Sequence, residues 1–351
     1  MSSVAQERSG AGEGSLAEER RGSSTELAPG KARNWATIVG LIVSALLLVG
    51  LYSRVDLAAV WAVLRGGNLM WVILSIGSIV PITLILALRF YWVAPPGGLP
   101  SYLEAVRLTL VTIAFNLFLP SKSGDLVKSY FVAKRSDVRT GTALSIIVYE
   151  RLCDLFGLIA CCLVGWLISP PFEGGIPTAA WTLIAGVGAL CLVLLASERS
   201  AGWLYQIAHY LLPKQRLTRL HKVAAGWPDL HAAIRGRRAR VLILSIGLWV
   251  GHMAQMWLFT FAVSTSLPFT TSMSLFALAL LAGQLPLTFA GFGARDVALV
   301  VLLSGHMPAA AAAAVGLLSA TRGFVPSLAA VPIVRPYLAV LAGEAALWRP
   351  K

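Results

Sequence analysis

From Trp35 onward the chain alternates long apolar runs with short polar breaks. The runs over 35–53, 69–93, 142–169, 179–196, 241–263 and 308–334 each reach about 18 residues or more, enough for a helix to cross a bilayer. Pro81 inside the second run predicts a kink. Arg89, Tyr91 and Trp92 near the end of that run read as interface anchors. Two further apolar stretches, 101–131 and 273–305, are interrupted in mid-course. The first is broken at Leu119-Pro120 and Gly124, the second at Leu285-Pro286 and at Gly291 and Gly293. Proline removes a backbone donor and glycine punctuates a helix, so neither stretch is expected to cross in one piece.

Charge orients these runs. The 198–240 stretch holds nine basic residues against two acidic, and the 122–139 connector five against two. Basic loops stay on the cytoplasmic side, which places both stretches and both chain ends there. If every apolar run crossed, the 122–139 connector would lie outside. Making 101–131 a re-entrant pair from the cytoplasm, and 273–305 one from outside, removes the conflict. The predicted fold is an all-α polytopic membrane protein with about six full spans and two re-entrant helix pairs. Within 198–240, Trp203, Leu204, Ile207, Tyr210 and Leu211 fall at helical spacing, which predicts an amphipathic segment on the membrane surface.

Residues 1–33 are rich in Gly, Ser, Glu and Arg and predict a disordered cytoplasmic tail. The apolar run after them starts too late and is too long for a signal peptide. The transmembrane domain is 34–335, followed by a cytoplasmic tail at 336–351. Composition agrees: 57% hydrophobic, 13% charged and a mean hydropathy of +0.75 exclude an ordinary soluble globule. The net charge of +13 would suit nucleic acid in a soluble protein. In a polytopic one it fits basic loops against anionic headgroups, and no nucleic-acid partner is expected. The expected location is a prokaryotic cytoplasmic membrane.

The chemistry-bearing positions repeat. From Pro120, Gly124 and Lys128 follow at offsets 4 and 8; from Pro286, Gly291 and Arg295 follow at 5 and 9. Arg151 and Arg322 then stand in the next span of each half. The halves, 69–169 and 241–334, run in opposite directions, so the repeat is inverted. Paired broken helices in an inverted repeat are a transporter architecture with its site near the midplane. Glu150, Arg151 and Asp154 crowd one side of the 142–169 helix. Each such group costs roughly 2.5 to 3.5 kcal/mol at a bilayer centre, so they must face a cavity or each other. They form either a substrate site or a structural ion-pair network. Lys122, Lys128 and Arg295 can meet a lipid phosphate at a broken-helix N-terminus, while Lys122 and Lys128 can also be plain positive-inside loop residues. Arg322 requires a partner such as Asp296 or a headgroup. Asn116 and Gln284 either line the cavity or bond carbonyls freed at the breaks.

Other chemistry is absent. The cysteines (Cys153, Cys161, Cys162, Cys191) lie in apolar runs without CxxC spacing and read as small buried hydrophobes. The five histidines lack metal-ligand spacing, and no cofactor-binding or nucleophile motif stands in a fitting context. Neither a metal nor a cofactor is expected.

At these residues the sequence resembles the flippase-like transmembrane family named after lysylphosphatidylglycerol synthase. The resemblance rests on Asn116, Leu119-Pro120, Gly124-Asp125, Glu150-Arg151-Leu152-Cys153-Asp154, Leu285-Pro286, Gly291-Phe292-Gly293 and Arg295-Asp296, and covers roughly residues 35–335. It implies movement of an anionic, aminoacylated or polyisoprenyl-linked lipid between leaflets, with Asp125 and Asp296 joining the site. Family members carrying a synthase append a soluble aminoacyltransferase domain. The end of this chain at Lys351 leads us to expect no lipid aminoacylation here. The reading is a transporter rather than an enzyme. Two alternatives stay open: a membrane-embedded transferase with Glu150 or Asp154 as general base, and an accessory subunit that recruits a lipid or glycan synthase through 198–240. A homo-oligomer is compatible with all three.

Overall fold

A computed structural model of the chain describes residues 31–118, 124–135, 138–170, 178–211, 214–284, 291 and 293–341. Every regular element among the described residues is helical. In order these are α1 (Lys31–Tyr52), α2 (Leu57–Arg65), α3 (Leu69–Gly77), α4 (Ile79–Val93), α5 (Tyr102–Phe118), α6 (Gly124–Arg135) and α7 (Thr140–Ile168). They continue with α8 (Thr178–Ala196), α9 (Ser200–Leu211), α10 (Lys214–Ile234), a 3₁₀ turn at Arg235–Arg237, α11 (Arg238–Ala262), α12 (Phe269–Gln284), α13 (Ala294–Leu303) and α14 (Ala309–Leu341).

Among the described residues, five helical stretches are long and apolar enough to cross a membrane: α3–α4 as one unit, α7, α8, the continuous stretch Leu220–Ala262 that ends with α11, and α14. A sixth candidate is the pair α1–α2, bent by 82°. The outward faces are apolar, with Leu46, Leu69, Leu183 and Leu328 each about two-thirds exposed or more, as lipid contact requires and as a soluble protein avoids. The 54–65 stretch, which lies outside the long apolar runs, is largely helical. Asp56 caps α2 by accepting from the Ala58 N–H at 2.8 Å, which starts a new helix in a new direction. The break near Pro81 is present, α3 ending at Gly77 and α4 beginning at Ile79. Proline lacks the N–H that the Gly77 carbonyl would need.

The 198–240 stretch is more embedded than its charge suggested. α10 packs along the start of α7, burying Trp227, Leu230 and Ile234 with Ala143, Ile146 and Tyr149. Only α9 keeps an outward apolar edge, at Trp203, Ile207, Tyr210 and Leu211.

Two short helices pair with longer ones at the expected breaks. α6 packs on α5, and α13 on α12. Each pair then meets the long helices in a corresponding way: α5 against α14 and α12 against α7, α6 against α7 and α13 against α14, α4 against α5 and α11 against α12. The Tyr337 hydroxyl donates to Glu104 at 2.6 Å and fixes α5 to α14.

Apolar burial divides into two cores. Along α7, one core holds Ala143, Ile146, Tyr149 and Cys153, and the other begins at Leu158. Along α14, the second core holds residues 311–315 and the first takes Tyr337 and Val340. The layer between them carries the charged residues near the midpoints of α7 and α14 and His252 near that of α11.

Candidate functional site

Glu150, Arg151 and Asp154 do not pair chiefly with one another. Arg89 of α4, 1% exposed, donates to Asp154 Oδ1 at 2.6 Å and lies 3.9 Å from Glu150. Its expected role as an interface anchor is therefore wrong. A position eleven residues into α4 is carried inward by the helix rather than outward. Glu150 takes Lys128 Nζ at 2.7 Å. Lys128, 6% exposed, also sits 3.7 Å above the Phe90 ring, a contact that favours a cation over an aromatic face. Lys128 is thus no loop residue, because α6 carries it into the core. Arg151 bridges Asp125 at 2.6 Å and reaches Asp154 at 3.7 Å, while 42% of its side chain stays exposed. Asn116 donates to Asp125 at 3.1 Å, leaving its own buried Oδ1 without a partner. Gly124 makes this approach possible, since a Cβ there would meet the Thr112 carbonyl at 2.6 Å. The cluster balances three cations against three anions.

The second cluster stands between α11, α13 and α14. Gly291 and Gly293 have φ of 81° and 89°, a backbone that glycine adopts without steric cost. This turn aims the Gly293 N–H at Asp296 Oδ2, 3.1 Å away. Asp296 Oδ1 accepts from Arg295 at 3.1 and 2.8 Å. Asp296 is therefore engaged, and Arg322 does not pair with it. Arg322 instead donates to His252 Nδ1 at 2.8 Å, and its Nε has no partner. Among the described residues, no carboxylate lies within ion-pair distance of Arg322. Arg295 acts on it electrostatically. Among the described residues, two cations here face one anion.

Trp249 joins the clusters. Its indole N–H donates to Asp154 at 3.3 Å, and its ring lies 5.2 Å from that of His252. The result is a continuous polar run, Arg151–Asp154–Trp249–His252–Arg322, across the middle of the helix bundle. Trp249 and His252 escaped the sequence reading as site residues, and Arg89 was read there only as an interface anchor. Each stands alone in an apolar run, and only a charged residue deep inside a span could have flagged Arg89.

Of the other expected residues, Gln284 is half-buried at the end of α12. Lys122, Pro120 and Pro286 lie outside the described residues. All four cysteines are buried and unpaired with each other, as expected of small hydrophobes.

Comparison with known proteins bears on this arrangement. The chain is 22% identical over 317 residues to a UPF0104 membrane protein of Methanocaldococcus jannaschii, covering 86% of this chain and 93% of that one. It is 23% identical over 233 residues to a UPF0104 membrane protein of Methanothermobacter thermautotrophicus, covering 59% and 67%. The family model described as the lysylphosphatidylglycerol synthase TM region matches residues 37–330, which takes in both clusters and both broken segments. This integral membrane protein therefore belongs to the lysylphosphatidylglycerol synthase transmembrane-region family.

Proposed function

We propose that the chain moves a lipid with an anionic, phosphate-bearing headgroup between leaflets, the headgroup passing through the polar layer while the acyl chains stay in lipid. Aminoacylated phosphatidylglycerols and polyisoprenyl phosphates carry the same phosphate, although a lysyl ester makes the headgroup net cationic. The carrying observation is the excess cation. Arg322 lies near the midpoint of a membrane helix with a neutral imidazole as its hydrogen-bond partner, where an uncompensated charge is costly. An arriving phosphate would offset that cost, and a guanidinium fork suits phosphate oxygens. The exposed side of Arg151 offers a second contact at the edge of the same layer.

The corresponding packing of α4–α7 and α11–α14 supports an inverted repeat. Under that reading α5–α6 and α12–α13 are re-entrant hairpins whose tips close the path from opposite faces. The termini and 198–240 are cytoplasmic, with α9 lying against anionic headgroups through its apolar edge. A cysteine placed at position 220 is expected to stay unlabelled by an impermeant maleimide in intact cells, and the native cysteines, all buried, give little background. Labelling from outside would reverse the topology. A transferase is less well supported, since Glu150 and Asp154 are both held by cations rather than poised as bases.

A leaflet-resolved assay tests the proposal. Proteoliposomes would carry fluorescent phosphatidylglycerol, its lysyl ester, a polyisoprenyl phosphate or a phosphate-free glycolipid, with dithionite bleaching the outer leaflet. At least one phosphate-bearing lipid is expected to cross faster than in protein-free vesicles. Arg322→Gln is expected to slow it roughly ten- to a hundredfold, the scale of one lost charge-assisted bond of roughly 1.5–3 kcal/mol. Equal rates for the glycolipid, or an unaffected Arg322→Gln variant, would refute the role of the phosphate.

A further inference from the structure

We propose that His252 is a proton-binding site, and that the protein takes up a proton together with its anionic cargo. This inference rests on the reading of Arg322 as the anion-binding cation.

The Arg322–His252 bond defines the starting state. A guanidinium only donates, so the imidazole Nδ1 at 2.8 Å must accept. Nδ1 therefore carries no proton, and the ring is neutral with its hydrogen on Nε2. In this state the imidazole occupies part of the donor fork that a phosphate would use.

Protonation reverses the interaction. When a proton from water bonds to Nδ1, the acceptor becomes a donor and the neutral ring a cation. Two cations then face each other at hydrogen-bond distance, and the Arg322–His252 bond breaks. Arg322 has somewhere to go, since it is only half-buried and its Nε is unpartnered. The freed guanidinium and the new imidazolium present donors to one anion. Among the described residues, no carboxylate competes for that role. On α7, Asp154 faces His252 but is already bonded by Arg89 and Trp249. On α4, Arg89 adds repulsion. On α14, Arg322 is the group displaced, and α3 and α12 bring no ionisable side chain. A proton on His252 without an anion would leave the second cluster with two surplus positive charges. With a singly charged phosphate bound, the surplus falls back to the one present at the start. Proton and anion therefore each strengthen the binding of the other, by the reciprocity that links any two sites.

The shared chemistry is a phosphate anion, which a lipid headgroup or free phosphate supplies. The commitment here is to the lipid, because Arg322 and His252 are both partly exposed and the outward residues beside Arg322, Phe324 and Leu328, are apolar.

Trp249 supplies a reporter that does not depend on transport, since its ring neighbours His252 and imidazolium quenches indole fluorescence. The full chain in nanodiscs would be titrated from pH 5 to 9, the Trp249→Phe trace being subtracted. A single proton-linked transition is expected at the acid end of this range in neutral lipid, since no anion offsets the new charge, and it is expected to be absent from His252→Gln. Gln keeps an acceptor for Arg322 and cannot be charged. Adding phosphatidylglycerol is expected to raise the midpoint by about one pH unit, the mark of tenfold tighter proton binding. In the leaflet assay, wild type is expected to depend on pH and His252→Gln to lose that dependence.

A transition that survives in His252→Gln, or a midpoint unmoved by phosphatidylglycerol, overturns the proposal. Inorganic phosphate moving the midpoint as far as the lipid overturns its lipid part. If His252→Gln fails to fold, the wild-type midpoint shift still decides. If no lipid crosses, the function proposed above fails, while the titration judges the proton site separately.

Discussion

Replacing Arg89 by methionine is expected to cost roughly 3 to 5 kcal/mol and to show first as lost folded protein. Arg89 is 1% exposed and is the nearest cation to Asp154, with Glu150 also in reach. Methionine fills similar volume but leaves Asp154 with only the Trp249 N–H and a distant Arg151. An orphaned carboxylate in a dry layer is the expensive outcome, more so than the absence of the pair. The double variant Arg89→Met, Asp154→Leu removes both charges and is expected to regain most of the folded yield. The measurement is the monodisperse fraction in detergent together with the thermal midpoint. A single variant as stable as wild type would show that Arg89 does not neutralise this site. Arg151→Ala makes a useful contrast. Arg151 is 42% exposed and its strong partner is Asp125, which keeps Asn116, so a smaller loss of stability is expected. Removing Arg151 and Asp154 together would not isolate a pair, since it strands Asp125 and Arg89.

Gly226→Val is expected to detach α10 from α7. A Cβ at Gly226 would overlap the backbone of Gly141 and Thr142, and one at Gly141 would meet the Lys222 carbonyl at 2.5 Å. Two helices crossing on glycine have no flexible side chain to yield, so the backbones must separate. Overpacking costs about 1 to 3 kcal/mol where neighbours can shift, and the upper end is expected here. Separation would expose Trp227, Leu230 and Ile234, each 1% exposed or less at present. The expected readout is faster proteolysis within 198–240 and a red-shifted tryptophan spectrum. Gly202→Ala is the control, since nothing lies within 4 Å of its added Cβ, and a change within about 0.5 kcal/mol is expected. Equal protease resistance in Gly226→Val would mean that α10 is not held by this crossing.

The spans were legible in the sequence because crossing a bilayer is a local requirement of length and apolarity, met within each segment alone. The helix break near Pro81 and those ending at Gly124 and before Ala294 were legible for the same reason, since proline and glycine act on their own backbone. The charged partners were not. Arg151 and Asp154 share a helix face, yet Arg151 finds Asp125 on α6 and Asp154 finds Arg89 on α4. Those choices depend on how four helices pack, which no spacing within one of them encodes. Lys128 looked like a loop cation because its flanks are basic; α6 buries it against Glu150 and Phe90. α10 looked like surface because its composition is polar, while its Trp227 face is claimed by α7. His252 carries no signal in a run of apolar residues. It becomes part of the site only because α14 brings Arg322 to its Nδ1, and tertiary packing alone decides where an uncompensated charge meets a titratable ring.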